Sequence, residues 1–178
     1  EDGEHISRLR ALIAEAKAPN YARMITEELK SGTVDKLVVM GHHRRALNII
    51  LEHLREHKIN AEAINGTTAP KERERVVRSF QDDPKGVRVI VGNIQAAGTG
   101  ITLTAAHRID MFESSWTPTD NVQAVKRVHR KGQSKNVFVR FVMLQKSFDE
   151  TVAKIVAAKA NAILAITEKD TLKEAIAS

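Results

Sequence analysis

The sequence predicts an α/β protein, a parallel β-sheet with helices on both faces. Three observations carry that prediction. Short runs rich in Val and Ile, bounded by Gly, Asn or Pro, recur along the chain. Amphipathic segments of helical length separate them, the pattern of βαβ units. The 178 residues, 42% hydrophobic and 28% charged, suffice to bury one sizeable core.

The elements follow in order. Residues 4–31 read as two helices broken at Ala18-Pro19, because an interior proline removes a backbone donor and crowds the preceding turn. Lys36–Met40 is the first strand. Arg44–His57 is a helix with Leu47, Ile50, Leu51 and Leu54 as one apolar stripe. Ala61–Ile64 is the second strand, and Lys71–Gln81 a helix carrying Val76, Val77 and Phe80 on one side. Val87–Val91 and Arg108–Phe112 are the third and fourth strands, a helix runs from Asp120 to Arg130, and Val137–Leu144 is the fifth strand. A long helix from Phe148 to Ile166 offers Val152, Ile155, Val156 and Ile163 to the sheet, and Thr167–Ser178 is a polar helix or frayed tail.

Composition narrows the partners. Lys and Arg outnumber Asp and Glu by 28 to 22, a net +6 that favours a polyanion. The absence of cysteine excludes disulfides and thiolate metal sites and suits a reducing, intracellular compartment. No apolar run approaches the roughly 18 residues that span a bilayer, so no membrane partner is expected. The opening EDGEHISRLR has neither the basic nor the apolar region of a signal peptide, and it lacks an initiator Met. A monomeric fragment of a longer protein is therefore expected. His53 and His57 stand four apart on one helix, as zinc ligands can, but with no third ligand evident in the sequence no metal site is expected.

In a parallel α/β sheet, ligands bind beyond the carboxyl ends of the strands. The loops expected there are Gly41-His42-His43-Arg44-Arg45, Asn65-Gly66-Thr67-Thr68, the glycine-bearing stretch from Gly92 to Gly100, and Ser114-Ser115-Trp116-Thr117-Pro118. The last leads into Gln123–Gln133. There Arg127 and Arg130, three apart, share a helical face. No Asp or Glu occurs between Asp120 and Asp149. Two arginines without a local acid suit phosphate oxygens. Trp116 reads as a packing anchor.

These residues resemble, over Val34 to Val156, the C-terminal RecA-like lobe of Swi/Snf-type helicase-like ATPases. Lys36–His43 is similar to motif IV, Gly66-Thr67-Thr68 with Arg73 and Phe80 to the following Gly-x-Thr, Arg and Phe pattern, Ala96–Thr104 to motif V, and Trp116-Thr117-Pro118 to Trp-Asn-Pro. Gln123–Gln133 is similar to motif VI, which ends in Gly-Gln where DEAD-box RNA helicases have Gly-Arg. Lys126 and Lys131 depart from the usual residues. Thr102 and Ile94 do too, and resemble the DNA-annealing branch more than the nucleosome remodellers.

The resemblance implies a RecA-like lobe over residues 32–166, with residues 1–31 as a helical lead-in from a first lobe and 167–178 as an appended helix or tail. It implies a motor on double-stranded DNA. Arg127 and Arg130 would be arginine fingers; Gly98, Gly100 and Gln123 would sit with them at the nucleotide, and His42, Thr67, Thr68, Asn93 and Gln95 at DNA phosphates. ATP and Mg²⁺ would be held mainly by the N-terminal RecA-like lobe, since no Gly-x-x-x-x-Gly-Lys-Ser/Thr stretch occurs here. The alternatives are a non-catalytic RecA-like module that binds DNA or protein, and an RNA helicase lobe.

Overall fold

The computed structural model describes residues 2–155, 158, 159 and 162. Helix α1 (Asp2–Lys30) precedes β1 (Leu37–Gly41), α2 (Arg44–Glu56), β2 (Ala61–Ile64), α3 (Pro70–Asp82) and β3 (Val89–Asn93). A 3₁₀ segment (Ile94–Thr99), β4 (Arg108–Met111), α4 (Pro118–Val125) and β5 (Phe138–Phe141) follow. The five strands form one sheet in the order β2-β3-β1-β4-β5, every pair parallel. The expected α/β class and RecA-like arrangement are what the chain adopts.

Strand alternation sorts the core into two layers. Leu37, Val39, Val89 and Val91 pack with the apolar stripes of α1 and α2 on one face. Val38, Met40, Ile90, Ile109 and Met111 pack with Val76 and Phe80 of α3 and with Ala124 and Val125 of α4 on the other. The stripe Leu47, Ile50, Leu51 and Leu54 is buried as expected. Adjacent strands β1 and β4 thus send their following helices to opposite faces, which opens a crevice at the carboxyl edge.

Three expectations about elements are corrected. Helix α1 is continuous through Pro19. Pro19 itself is exposed, so the acceptor it leaves undonated lies toward water, while Ala14, Ala18, Tyr21, Ala22, Ile25 and Leu29 on the buried side hold both halves against the core. The helix expected from Asp120 to Arg130 stops at Val125. The carbonyl of Arg127, which helix continuation would leave for residue 131, instead accepts the Leu103 amide at 2.8 Å. Strand β5 ends at Phe141 rather than Leu144; the carbonyl of Val142 is taken by Lys17 Nζ at 3.0 Å and the Leu144 amide by Asp149. Residues 148–155 are helical, but only Val152 and Ala153 are buried there, and Ile155 is exposed. The expectations for Val156, Ile163 and residues 167–178 fall outside the described residues.

Helix α1, where residues 1–31 were expected as a lead-in, is tied to the sheet by charge as well as packing. Asp110, fully buried on β4, accepts Tyr21 Oη at 2.7 Å, Arg108 Nε at 3.1 Å and an Arg140 nitrogen at 2.7 Å. Glu28 of α1 accepts Arg108 at 2.7 Å and Arg140 at 2.8 Å. Two arginines and two carboxylates cancel, so a polar cluster is tolerated between α1 and the sheet.

Candidate functional site

The carboxyl edge gathers the residues that the sequence singled out. Arg127 and Arg130 lie beyond α4 in a succession of tight turns, not on a helical face as expected, since the ladder is diverted at Arg127. They still converge: the charge of Arg130 is near enough to disfavour that of Arg127. Arg130 is exposed and donates from Nη1 to the Gly100 carbonyl at 3.0 Å. Arg127 is half-buried and bonds the Gln123 side-chain oxygen at 3.4 Å, while its Nε is buried without a partner. Burial, then Arg130, lowers the Arg127 pKa, yet a guanidinium stays cationic. Among the described residues neither arginine makes an ion pair. Gly98 lies in the 3₁₀ segment, and Gly100 ends it at φ +78°, where a side chain would be strained.

Gln133 has a role that sequence reasoning missed. Its Nε2 lies 2.7 Å from the Ala106 carbonyl and 3.2 Å from those of Thr104 and Val128. With the Leu103–Arg127 bond, it staples the segment after the 3₁₀ turn to the segment after α4. The signal was present as the Gly-Gln ending, but two of its three bonding partners, Thr104 and Ala106, lie nearly thirty residues away.

The expected DNA-side residues collect on the loops after β1, β2 and β3. His42, Thr67 and Gln95 are exposed; Thr68 and Asn93 are half-buried. Several are already engaged. Asn93 donates to the His42 carbonyl at 3.1 Å and accepts the Gln95 amide at 2.9 Å. Thr67 and Thr68 both donate to Asn65 Oδ1, a turn-stabilising use of hydroxyls. Desolvation and then the charge of His43 push the His42 imidazole below its ordinary value, so at neutral pH it offers hydrogen bonds rather than charge. Beside these loops a cavity of about 290 Å³ is lined by Arg44, Asn65, Arg73, Asn93 and Gln95.

A second missed residue joins two of the loops. Glu113, just past β4, is 3% exposed, and its Oε1 accepts the amides of His42 and His43 at 3.0 and 2.9 Å. Its Oε2 lies 2.5 Å from His43 Nδ1. Burial pushes the carboxyl up, but the His43 ring and the two amides outweigh it and hold the group below its ordinary range. Gly41 eases this approach, because a Cβ there would stand 3.3 Å from Glu113 Oε1 and 2.6 Å from Leu47 Cδ2.

Other singled-out features lie elsewhere. Trp116 packs against Phe148 with ring centroids 5.4 Å apart and under the Arg10 guanidinium, yet remains 51% exposed. His53 and His57 do have a third neighbour, Glu56, with ligand atoms all within 4.8 Å of one another. Sequence reasoning overlooked it. The group sits at the opposite end of α2 from the site, and desolvation, then the charge of His57, lowers the His53 pKa.

A model of the helicase conserved C-terminal domain matches residues 20–132, from α1 through β1–β4 to the turns after α4. The chain belongs to that family. It is the C-terminal lobe of a Swi/Snf-type helicase-like ATPase. It is 36% identical over 124 residues to a Caenorhabditis elegans homolog of SWI/SNF-related matrix-associated actin-dependent regulator of chromatin subfamily A-like protein 1, covering 70% of this chain and 18% of that protein. It is 34% identical over 144 residues to a human DNA annealing helicase and endonuclease, covering 81% of this chain and 13% of that protein. The chain therefore spans only a small part of these relatives. The crystal structure of the C-terminal part of the Fun30 ATPase domain superposes with a TM-score of 0.70 at 21% identity, covering 78% of this chain and 45% of that one, which supports the fold. Among the described residues no helix is long and apolar enough to cross a membrane.

Proposed function

We propose that this lobe is the second half of an intracellular DNA-dependent ATPase that translocates on double-stranded DNA, and that it brings Arg127 and Arg130 to ATP held by an N-terminal RecA-like lobe. The observation that carries this is the unpaired arginine pair at the carboxyl edge, seated beside Gly100 and stapled by Gln133. A guanidinium aimed at transferring phosphoryl oxygens stabilises charge that develops in the transition state. Mg²⁺ would offset phosphate charge there, but this chain is not its ligand set: the buried acid at this edge, Glu113, is turned inward onto His42 and His43. Gly98 and Gly100 would let the backbone approach the nucleotide, and Gln123 would orient Arg127.

On the DNA side, His42, Thr67, Thr68, Asn93 and Gln95 would meet backbone phosphates, with Arg44 and Arg73 lending charge. Closure of the two lobes on ATP would shift this grip along the duplex. The test joins the lobe to its N-terminal half and measures turnover with and without duplex DNA or RNA. Turnover stimulated by duplex DNA and abolished by Arg130→Ala supports the reading. RNA-only stimulation would favour an RNA helicase lobe, and DNA binding without turnover a non-catalytic module. The lobe alone should bind duplex DNA weakly, with a log–log salt slope of about −0.9 per phosphate contacted.

A further inference from the structure

We propose that Glu113 is a positioning residue that couples the DNA-side loop after β1 to the arginine-bearing segment after β4. The proposal rests on the function just described and deepens it.

Strands β1 and β4 are neighbours whose helices leave toward opposite faces, so their carboxyl ends flank the crevice where such sheets take ligands. Here the protein fills part of that crevice with its own carboxylate. Each oxygen of Glu113 is committed to the other loop, one to two backbone amides at the start of α2 and one to the His43 ring. Bonds of this kind are charge-assisted and directional.

Backbone links and hydrogen bonds together connect this residue to the arginine segment in each direction. Toward the arginines, the Ser115 amide donates to Asn121 Oδ1 at 2.8 Å, and Asn121 Nδ2 returns to the carbonyls of Ser115 at 2.9 Å and Thr117 at 3.2 Å. Asn121 is fully buried in α4, which ends one residue before the turns that hold Arg127 and Arg130. In the other direction, the His42 carbonyl accepts Asn93, which caps the 3₁₀ segment leading to Gly100. Both routes from Glu113 therefore reach the arginine pair. A phosphate that shifts the His42 loop must either break the Glu113 bonds or carry α4 with it.

The test uses the complete two-lobed ATPase and compares turnover without and with a mixed-sequence DNA duplex. In Glu113→Gln the side-chain oxygen still accepts both amides, so the fold is retained, while the negative charge is lost and an amide donor replaces the carboxylate acceptor facing His43 Nδ1. The expected result is DNA-free turnover within about twofold of the parent and a DNA-stimulation factor reduced about tenfold, within the usual range of coupling between sites. His43→Asn, which keeps a capping residue before α2, should reduce stimulation in the same direction by less. A purely structural role predicts that both turnovers fall together with the folded fraction, and that result would overturn the proposal. So would normal stimulation in Glu113→Gln, or in His43→Asn should Glu113→Gln not fold. Arg130→Ala is carried alongside. If it abolishes turnover while Glu113→Gln is stimulated normally, only the coupling is wrong. A parent enzyme indifferent to duplex DNA would remove the functional reading and the coupling together.

Discussion

Two pairs of arginines in this lobe are used in opposite ways. Arg108 and Arg140, on adjacent strands, are each bonded to both Glu28 and Asp110, and Arg108 is almost wholly enclosed. Arg127 and Arg130, at the carboxyl edge, have among the described residues a side-chain amide oxygen and a carbonyl as partners and no acid. Four identical side chains divide by the acids within reach. An arginine whose charge is matched inside the fold is part of its architecture, whereas Arg127 and Arg130, unmatched among the described residues, keep their charge for the phosphate role proposed above.

The sharpest way to break this contrast is to exchange the readouts. In the complete two-lobed protein, Arg130→Ala should lower turnover by roughly 10³–10⁵ with little change in melting temperature, as loss of a finger does. Arg130→Lys should recover little, because an ammonium lacks the planar fork. Arg108→Ala should do the reverse: it strips a buried carboxylate of one partner and should cost about 3 kcal/mol of stability, measurable by denaturant titration, while turnover per folded molecule holds. Normal turnover in Arg130→Ala would end the finger assignment.

Smaller effects sharpen it. Gln133→Ala leaves the Thr104 and Ala106 carbonyls short of a donor and should cost about 1–3 kcal/mol, with a loss of turnover larger than the unfolded fraction explains, because it frees the turns that hold Arg127 and Arg130. Acid should reveal Glu113. Its folded pKa is depressed, so its stabilisation is present above the ordinary carboxylate range and is lost as pH falls through the lower folded value. Urea midpoints between about pH 6 and pH 3 should therefore fall more steeply for the parent than for Glu113→Gln. Parallel curves would remove Glu113 as an acid-sensitive tie. Smallest of all, Lys135→Ala, in the same acid-free stretch but exposed, should stay within about 0.5 kcal/mol and leave turnover unchanged.

Much of this was legible before the structure. All five strands exist and overlap the expected runs, β2 and β4 most closely, while β3 starts two residues later and β5 is shorter, because buried parallel strands are written as local apolar runs whose ends are set by pairing. The site motif was legible through its resemblance to a known family and, independently, through the absence of acids around Arg127 and Arg130. What escaped was set by distant partners. Nothing near Arg127 announces that Leu103 will take its carbonyl, and nothing near Glu113 announces two amides seventy residues earlier. Pro19 misled for a related reason: a helix rule applied locally cannot see that one side of α1 is anchored and the other faces water.

The strand order also has a consequence for how the chain is made. Strand β1 is the first strand of this sheet to be synthesised, yet it lies at the sheet's centre, where Val38 pairs with both Ile90 and Ile109. Its apolar residues must wait for partners about fifty and about seventy residues downstream, which at about 5–20 residues per second amounts to several seconds of synthesis. Closing such long loops is slow, and an unpaired run of this kind is prone to aggregate meanwhile. During that wait Leu37 and Val39 can be sheltered by α1, already synthesised, and by α2 as it emerges, while Val38 and Met40 must wait for α3 and α4. Helix α1 thus covers one face of the central strand early, and shortening it should lower the yield of newly made protein more than it lowers the stability of protein already folded.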